Sequence, residues 1–215
     1  TLSPSSAASD VYKRQVLDIF GSRDGENLAW LRSPYVLRGE IKALVLTSDR
    51  INVDIDNYVE KYCPLTKSVE IKPINKFSED DIVNYDLVIT CSLLYLSPDE
   101  EFKKMNKIID TVYGRLDTLD KHVFMLVREA ANFVYSRLKL LGNQKEAKTS
   151  FIYFIRECRH FNTSVGLDTL RLRAVDIDVR TQSDYIVIKK MGFHQLPYEL
   201  RWVYGYVDAN AIRSK

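Results

Sequence analysis

Short apolar runs separated by helical patterns constrain this chain more than any other feature. "IKALVLTSD" (41–49) is rich in β-branched residues and turns polar at its end, the pattern of a strand. "YDLVITCSLLYL" (85–96) reads as a buried strand and its exit, and "HVFMLV" (122–127) as a strand buried on both faces. Between the last two, residues 97–116 open with Ser-Pro-Asp-Glu-Glu, a helix start. They continue with Phe102, Met105, Ile108, Ile109, Val112 and Leu116 at helical spacing. Strands that alternate with helices predict an α/β fold, a mostly parallel sheet covered by helices on both faces.

The remaining segments extend the pattern. "VLDIF" (16–20) is a short strand followed by turn residues and one helical turn, and "SVEIKPI" (68–74) alternates like an exposed or edge strand. Residues 131–141 read as a helix interrupted by "GNQ", and 146–162 as a second helix. "SVGLDT" (164–169) is a strand, 174–182 a short helix and "DYIVIKKM" (184–191) a further strand. A Pro near a helix start opens 196–207, and no internal repeat is present.

Residues 1–15, "TLSPSSAASDVYKRQ", are expected to be a non-native or disordered leader. They have linker composition, lack a signal-peptide core, and "DVYKRQ" resembles a translated sequencing-adapter end. Residues 16–215 are then expected to form a single α/β core, a piece of a longer protein. Cys63, Cys91 and Cys158 are far apart, as are His122, His160 and His194, which argues against a zinc site or a disulfide framework. A reducing, cytoplasmic setting fits this cysteine usage. No apolar run approaches the roughly 20 residues that span a bilayer. Charge is uneven: residues 121–215 hold 16 Lys+Arg against 9 Asp+Glu, and residues 1–120 hold 15 against 20. A basic second half suits a polyanion such as DNA or a nucleotide, and equally a set of solvated helix faces.

Parallel sheets bind ligands at the carboxyl ends of their strands. Arg128 and Glu129 end the most apolar strand. A carboxylate there can orient a water for attack on a γ-phosphate, or pair with Arg128 or another base. Asp18, Asp24 and Glu26 could form a metal-dependent nuclease cluster, but a loop with helix-start acids explains them better. Trp30 and Trp202 fit core or interface packing better than base stacking.

In order, "VREAANFVYSRLK", "FIYFIRECRHFNTSVGLDTLR" and "DVRTQSDYIVIKKMG" resemble the C-terminal half of the HerA/FtsK superfamily. These are RecA-like P-loop ATPases that move or package DNA. The resemblance covers residues 123–192, with "VLDIFGSRDGENLAW" fitting more weakly. It implies an incomplete RecA-like core with Glu129 as the catalytic carboxylate and Thr169 contacting the attacking water or γ-phosphate. Asn132 and Arg171 would lie at the nucleotide. Arg159 and Arg156 lie on the helix from which ring-forming relatives offer an arginine to the neighbouring subunit. Arg171, Arg173 and Lys145 are candidates for DNA-backbone contact. ATP and Mg2+ would be the cofactors of the intact protein, DNA the partner, and a ring, expected to be a hexamer, the assembly.

Two positions depart from the pattern. Arg128 stands where the family has a metal-serving Asp, and Leu170 where it has a sensor Gln. No G-x-x-x-x-G-K-[ST] loop occurs anywhere in the chain, so that loop is expected upstream of Val16 and the chain alone is not expected to bind ATP tightly. Arg128 could set a cation near the phosphates or turn away to pair with an acid. Two functions follow: an ATP-driven DNA translocase or packaging motor hydrolysing ATP at subunit interfaces, or a non-hydrolysing nucleotide- or DNA-binding assembly protein of the same fold.

Overall fold

The computed structural model describes residues 14–20, 25–53, 69–115, 117–118, 121–136, 142–187, 198–206 and 208. Six strands, β1 (Arg14–Ile19), β2 (Ala43–Thr47), β3 (Val69–Pro73), β4 (Leu87–Ile89), β5 (His122–Val127) and β6 (Thr163–Leu167), form one sheet in the order β3-β2-β4-β1-β5-β6. Every pairing is parallel. The α/β class expected from the alternation is the class observed, and "SVEIKPI" is an edge strand as read.

The helices are α1 (Pro34–Leu37), α2 (Glu79–Asn84), α3 (Pro98–Tyr113), α4 (Ala130–Phe133), α5 (Gly142–Cys158) and α6 (Ile177–Thr181). 3-10 turns include Glu26–Arg32 after β1 and Tyr198–Gly205 near the C-terminus. The start of α3 shows why the sequence signal works. Ser97 accepts a hydrogen bond from the Glu100 amide at 3.2 Å, Pro98 occupies the first turn, and Asp99, Glu100 and Glu101 face the positive helix end. Its Phe102, Met105, Ile108, Ile109 and Val112 are buried.

Right-handed crossovers place α2, α3 and α5 on one face and the Glu26–Arg32 turn with α1 on the other. Contacts agree. Gln15 donates through Nε2 to the Ile82 and Tyr85 carbonyls at 2.8 Å each, on the α2 side. Phe20, Phe102, Phe133 and Phe151 form a chain of ring contacts joining the end of β1 to α3, α4 and α5. On the opposite face Trp30 reaches Asp18.

Some boundaries differ from the reading. β1 begins at Arg14, two residues inside the stretch expected to be leader, and Gln15 is fully buried. The helix expected over 131–141 is one turn, Ala130–Phe133, because Tyr135 leaves to bridge Val175 and Ser136 bonds to Ala174; residues 137–141 lie outside the described residues. "GNQ" does not interrupt a helix but begins α5: Asn143 donates to both Asp99 carboxylate oxygens at 2.9 Å, and Gln144 is buried and donates to the Asn132 carbonyl at 3.2 Å. Residues 184–187 are exposed and not in the sheet, and 188–191 of that expected strand lie outside the described residues.

Candidate functional site

β1 is the central strand at which the connections diverge. Its own crossover leaves over one face, and those of its neighbours β4 and β5 over the other, so crevices flank its carboxyl end. The chain there runs from Phe20 through residues 21–24, which lie outside the described residues, to Gly25 and the Glu26–Arg32 turn. The strand read as following a lost loop is therefore itself the strand whose carboxyl end borders the crevices. The signal in the sequence was Gly21 and Gly25 between a strand and a helical turn. This spacing is one residue tighter than a phosphate loop, and Glu26-Asn27 stands where such a loop carries Lys-Ser/Thr.

Asp18 and Arg128 occupy the β1/β5 crevice. Asp18 pairs with Leu126 in the β ladder, and Arg128, two residues further along β5, folds back onto it. Asp18 is fully buried, while the Arg128 side chain keeps 22% exposure. The contact is bidentate: Nε lies 3.0 Å from Oδ1 and 3.1 Å from Oδ2, and Nη2 lies 2.9 Å from Oδ2. Trp30 Nε1 donates to the same Oδ2 at 2.7 Å. The hydrogen bond to Asp18 raises the Arg128 pKa against the effect of its partial burial, and the charges of Asp18, Asp168 and Glu26 add to the rise. Of the two readings of Arg128, the structure has it turned onto an acid.

Asn27, fully buried, bonds the ends of β1 and β4 together by donating to the Asp18 carbonyl at 3.3 Å and the Thr90 carbonyl at 2.6 Å. It thus occupies the base of the second crevice with a neutral amide.

Glu129 sits at the mouth. Its backbone is left-handed at φ 46°, and Phe20 at the end of the adjacent β1 has φ 62°. Among the described residues these are the two non-glycine positions with positive φ, a costly conformation that clusters where a site constrains the chain. Asp168 holds Glu129 in place by accepting its amide hydrogen at 2.5 Å, and the Asp168 carbonyl accepts from the Ala130 amide at 2.8 Å. Asn132 Nδ2 donates to Glu129 Oε2 at 2.6 Å.

The structure brings Arg128, Glu129 and Asn132 together at the end of β5, with Thr169 and Arg171 beyond the end of β6. Thr169 Oγ1 accepts from the Arg171 amide at 3.2 Å, and Leu170 between them is exposed. Arg156 and Arg159 are elsewhere. They lie at the C-terminal end of α5, which feeds the amino end of β6, about 25 Å from the mouth by the length of the helix. Both are exposed, and Arg156 stacks over Tyr153 with 5.9 Å to the ring centre. Sequence reading missed Asp18 as the partner of Arg128, read Trp30 as packing without its hydrogen bond to Asp18, and missed Asn27 and Asp168 altogether.

These residues do not fit a magnesium ion. Both oxygens of Asp18 are taken by Arg128 and Trp30, and Asp168 is committed to the Glu129 amide. No group of three or more His, Cys, Asp or Glu among the described residues is arranged to hold a metal. The mouth is also hostile to a triphosphate, since Glu26 and Asp168 lie around a guanidinium already neutralised by Asp18, and the Glu129 carboxylate adds a further negative charge beside them. Asp18 itself is thereby removed from any nuclease cluster, and Asp24 lies outside the described residues.

No helix among the described residues is long and apolar enough to cross a membrane. No protein-family profile matches the chain, and no curated protein matches it. Solved structures similar to it include the genome packaging NTPase B204 from Sulfolobus turreted icosahedral virus 2, in complex with AMP, at 17% identity over 93% of this chain and 85% of that one, with a TM-score of 0.39. B204, the DNA-packaging ATPase from Sulfolobus turreted icosahedral virus, aligns at 18% identity over 92% and 84%, with a TM-score of 0.38. The E. coli MS115-1 HORMA:CdnC:Trip13 complex aligns at 14% identity over 89% and 66%, with a TM-score of 0.37. These likenesses are partial, and what the site can do follows from its own geometry.

Proposed function

We propose that this chain is an ATPase-type core of the DNA translocase and packaging kind whose own site no longer hydrolyses ATP, so that it serves as a DNA-binding assembly subunit. The observation that carries the reading is the Asp18–Arg128 pair. A guanidinium covers the buried carboxylate at the crevice where metal-assisted phosphoryl transfer needs a cation and an open coordination position. Asn27 at the second crevice supplies no charge for a phosphate. In this reading Glu129 and Asn132 keep the mouth in shape, and Arg171, Arg173 and Lys145 face the DNA backbone. Copies join as a ring, expected to be a hexamer, in the cytoplasm of a microbial or infected cell.

The working motor is the second reading, favoured by the position of Glu129 at the end of β5. In it Glu129 aligns a water, Thr169 contacts the γ-phosphate, and Arg156 or Arg159 reaches the neighbouring subunit's nucleotide. Steady-state ATP turnover separates the two. The protein is expected to show no turnover above background with or without added Mg2+, and no micromolar ATP binding. Its DNA binding should weaken steeply with salt. Turnover that disappears in Glu129→Gln would establish the motor and end the assembly reading.

A further inference from the structure

β6 is an edge strand: it pairs with β5, and no other strand among the described residues lies beside it in the sheet. An unpaired edge presents backbone N–H and C=O groups that readily accept another strand. Gly166 in this strand lets the Phe124 ring of β5 lie close over it, since a methyl group at that position would fall 2.7 Å from that ring.

The same chain carries a segment suited to such an edge. After α6, whose Val179 is buried, Ser183 closes the turn by bonding to the Arg180 and Val179 carbonyls. Tyr185, Ile186 and Val187 follow, an aromatic and two β-branched residues of high strand propensity. They are 90%, 40% and 87% exposed and make no hydrogen bond to another described residue. Three apolar residues in a row at this exposure are costly in water. Among its described residues, one chain thus holds a free edge and an unused strand that do not meet.

We propose that residues 184–187 of one copy add as a seventh strand to the outer edge of β6 of a second copy. The contact is heterologous, because each copy offers its strand to one neighbour and its edge to the other, and such contacts close into rings or run on as filaments. The inference names how copies join under the proposed function, yet its readout needs no nucleotide and no DNA, so it fails or stands separately from that function.

Mass by light scattering over a range of concentrations tests it. The protein is expected to associate, and Ile186→Pro, which removes an amide donor from a segment whose backbone makes no described hydrogen bond, is expected to return it to monomer with unchanged circular dichroism. A second arm uses a Cys63→Ser background. Mixing a Ser164→Cys chain with a Val187→Cys chain under mild oxidation is expected to give a linked two-chain product. A wild-type monomer at all concentrations, an association unaltered by Ile186→Pro, or cross-linking confined to single chains carrying both cysteines would each overturn the proposal.

Discussion

The two halves of the sheet are built differently. On the β3-β2-β4 side, β2 is buried at all five positions and Leu87, Val88 and Ile89 of β4 are buried too. On the β5-β6 side, one face of β5 is buried through Val123, Met125 and Val127, while Phe124 is exposed and Leu126 only half-buried on the other. In the first half β2 and β4 are covered on both faces, and β3 forms the other edge of the sheet. The second is covered by α5 on one face, carries the Arg128–Glu129 corner at its end, and ends in β6, which has no strand beyond it among the described residues. A sheet packed on both faces at β2 and β4 and open on one face at β5 concentrates stability in the first half. It leaves the second free to make contacts.

Substitutions can break or sharpen that contrast. Leu44→Ala in β2 removes a fully buried side chain, and chemical denaturation should record a loss of about 2–5 kcal/mol. Leu126→Ala on the open face should cost less than half as much; equal losses would mean that the open face is covered in solution. Asp18→Ala comes next. It strands Arg128, but the guanidinium retains some exposure and can turn toward Glu26, 3.9 Å away, so a loss of about 2–3 kcal/mol is expected, below that of a fully buried pair. Replacing both, Asp18→Leu with Arg128→Met, should recover most of that stability. Failure to recover would assign the pair a structural role beyond its charge.

Gly166→Ala should cost about 1 kcal/mol, because the new methyl meets the end of the exposed Phe124 ring, which can move. Phe124→Leu should relieve most of it. The smallest effect is alkaline. Burial, and then the hydrogen bond to Glu70, raises the Tyr85 hydroxyl from 10.0 to about 12. Burial raises the Cys91 thiol from 9.0 to about 11. Both folded values lie above the unfolded ones, so this stability is complete below pH 9 and is lost as pH rises through 9 to 12. Tyr85→Phe should flatten the upper part of that decline in a pH series of denaturation midpoints, and Cys91→Val the lower part.

The strands of the closed half were legible in the sequence because their burial on both faces leaves continuous apolar runs, as in "ALVLT" and "LVI". Helix α3 was legible because its cap, its acidic first turn and its apolar stripe are all local. The α4 region was misread as a long helix because the bridge from Tyr135 to Val175 is a contact between distant residues. At the site, the sequence exposed Arg128 and Glu129 as a charged end to an apolar strand. It did not show that Asp18, 110 residues earlier, would be the partner of Arg128.

By itself, then, the sequence determined an alternating parallel α/β fold and the position of a charged corner on its most apolar strand, since periodicity, capping and apolar runs are encoded over a few neighbouring residues. Strand order was decided only by the tertiary structure. By setting β1 beside β5 it brought Asp18, Trp30 and Arg128 within hydrogen-bond reach and made Asp168 the clamp on Glu129. Whether Arg128 stands free for a phosphate or closes onto a carboxylate depends on which charge is packed against it. That is a property of the assembled sheet, absent from any single stretch of the chain.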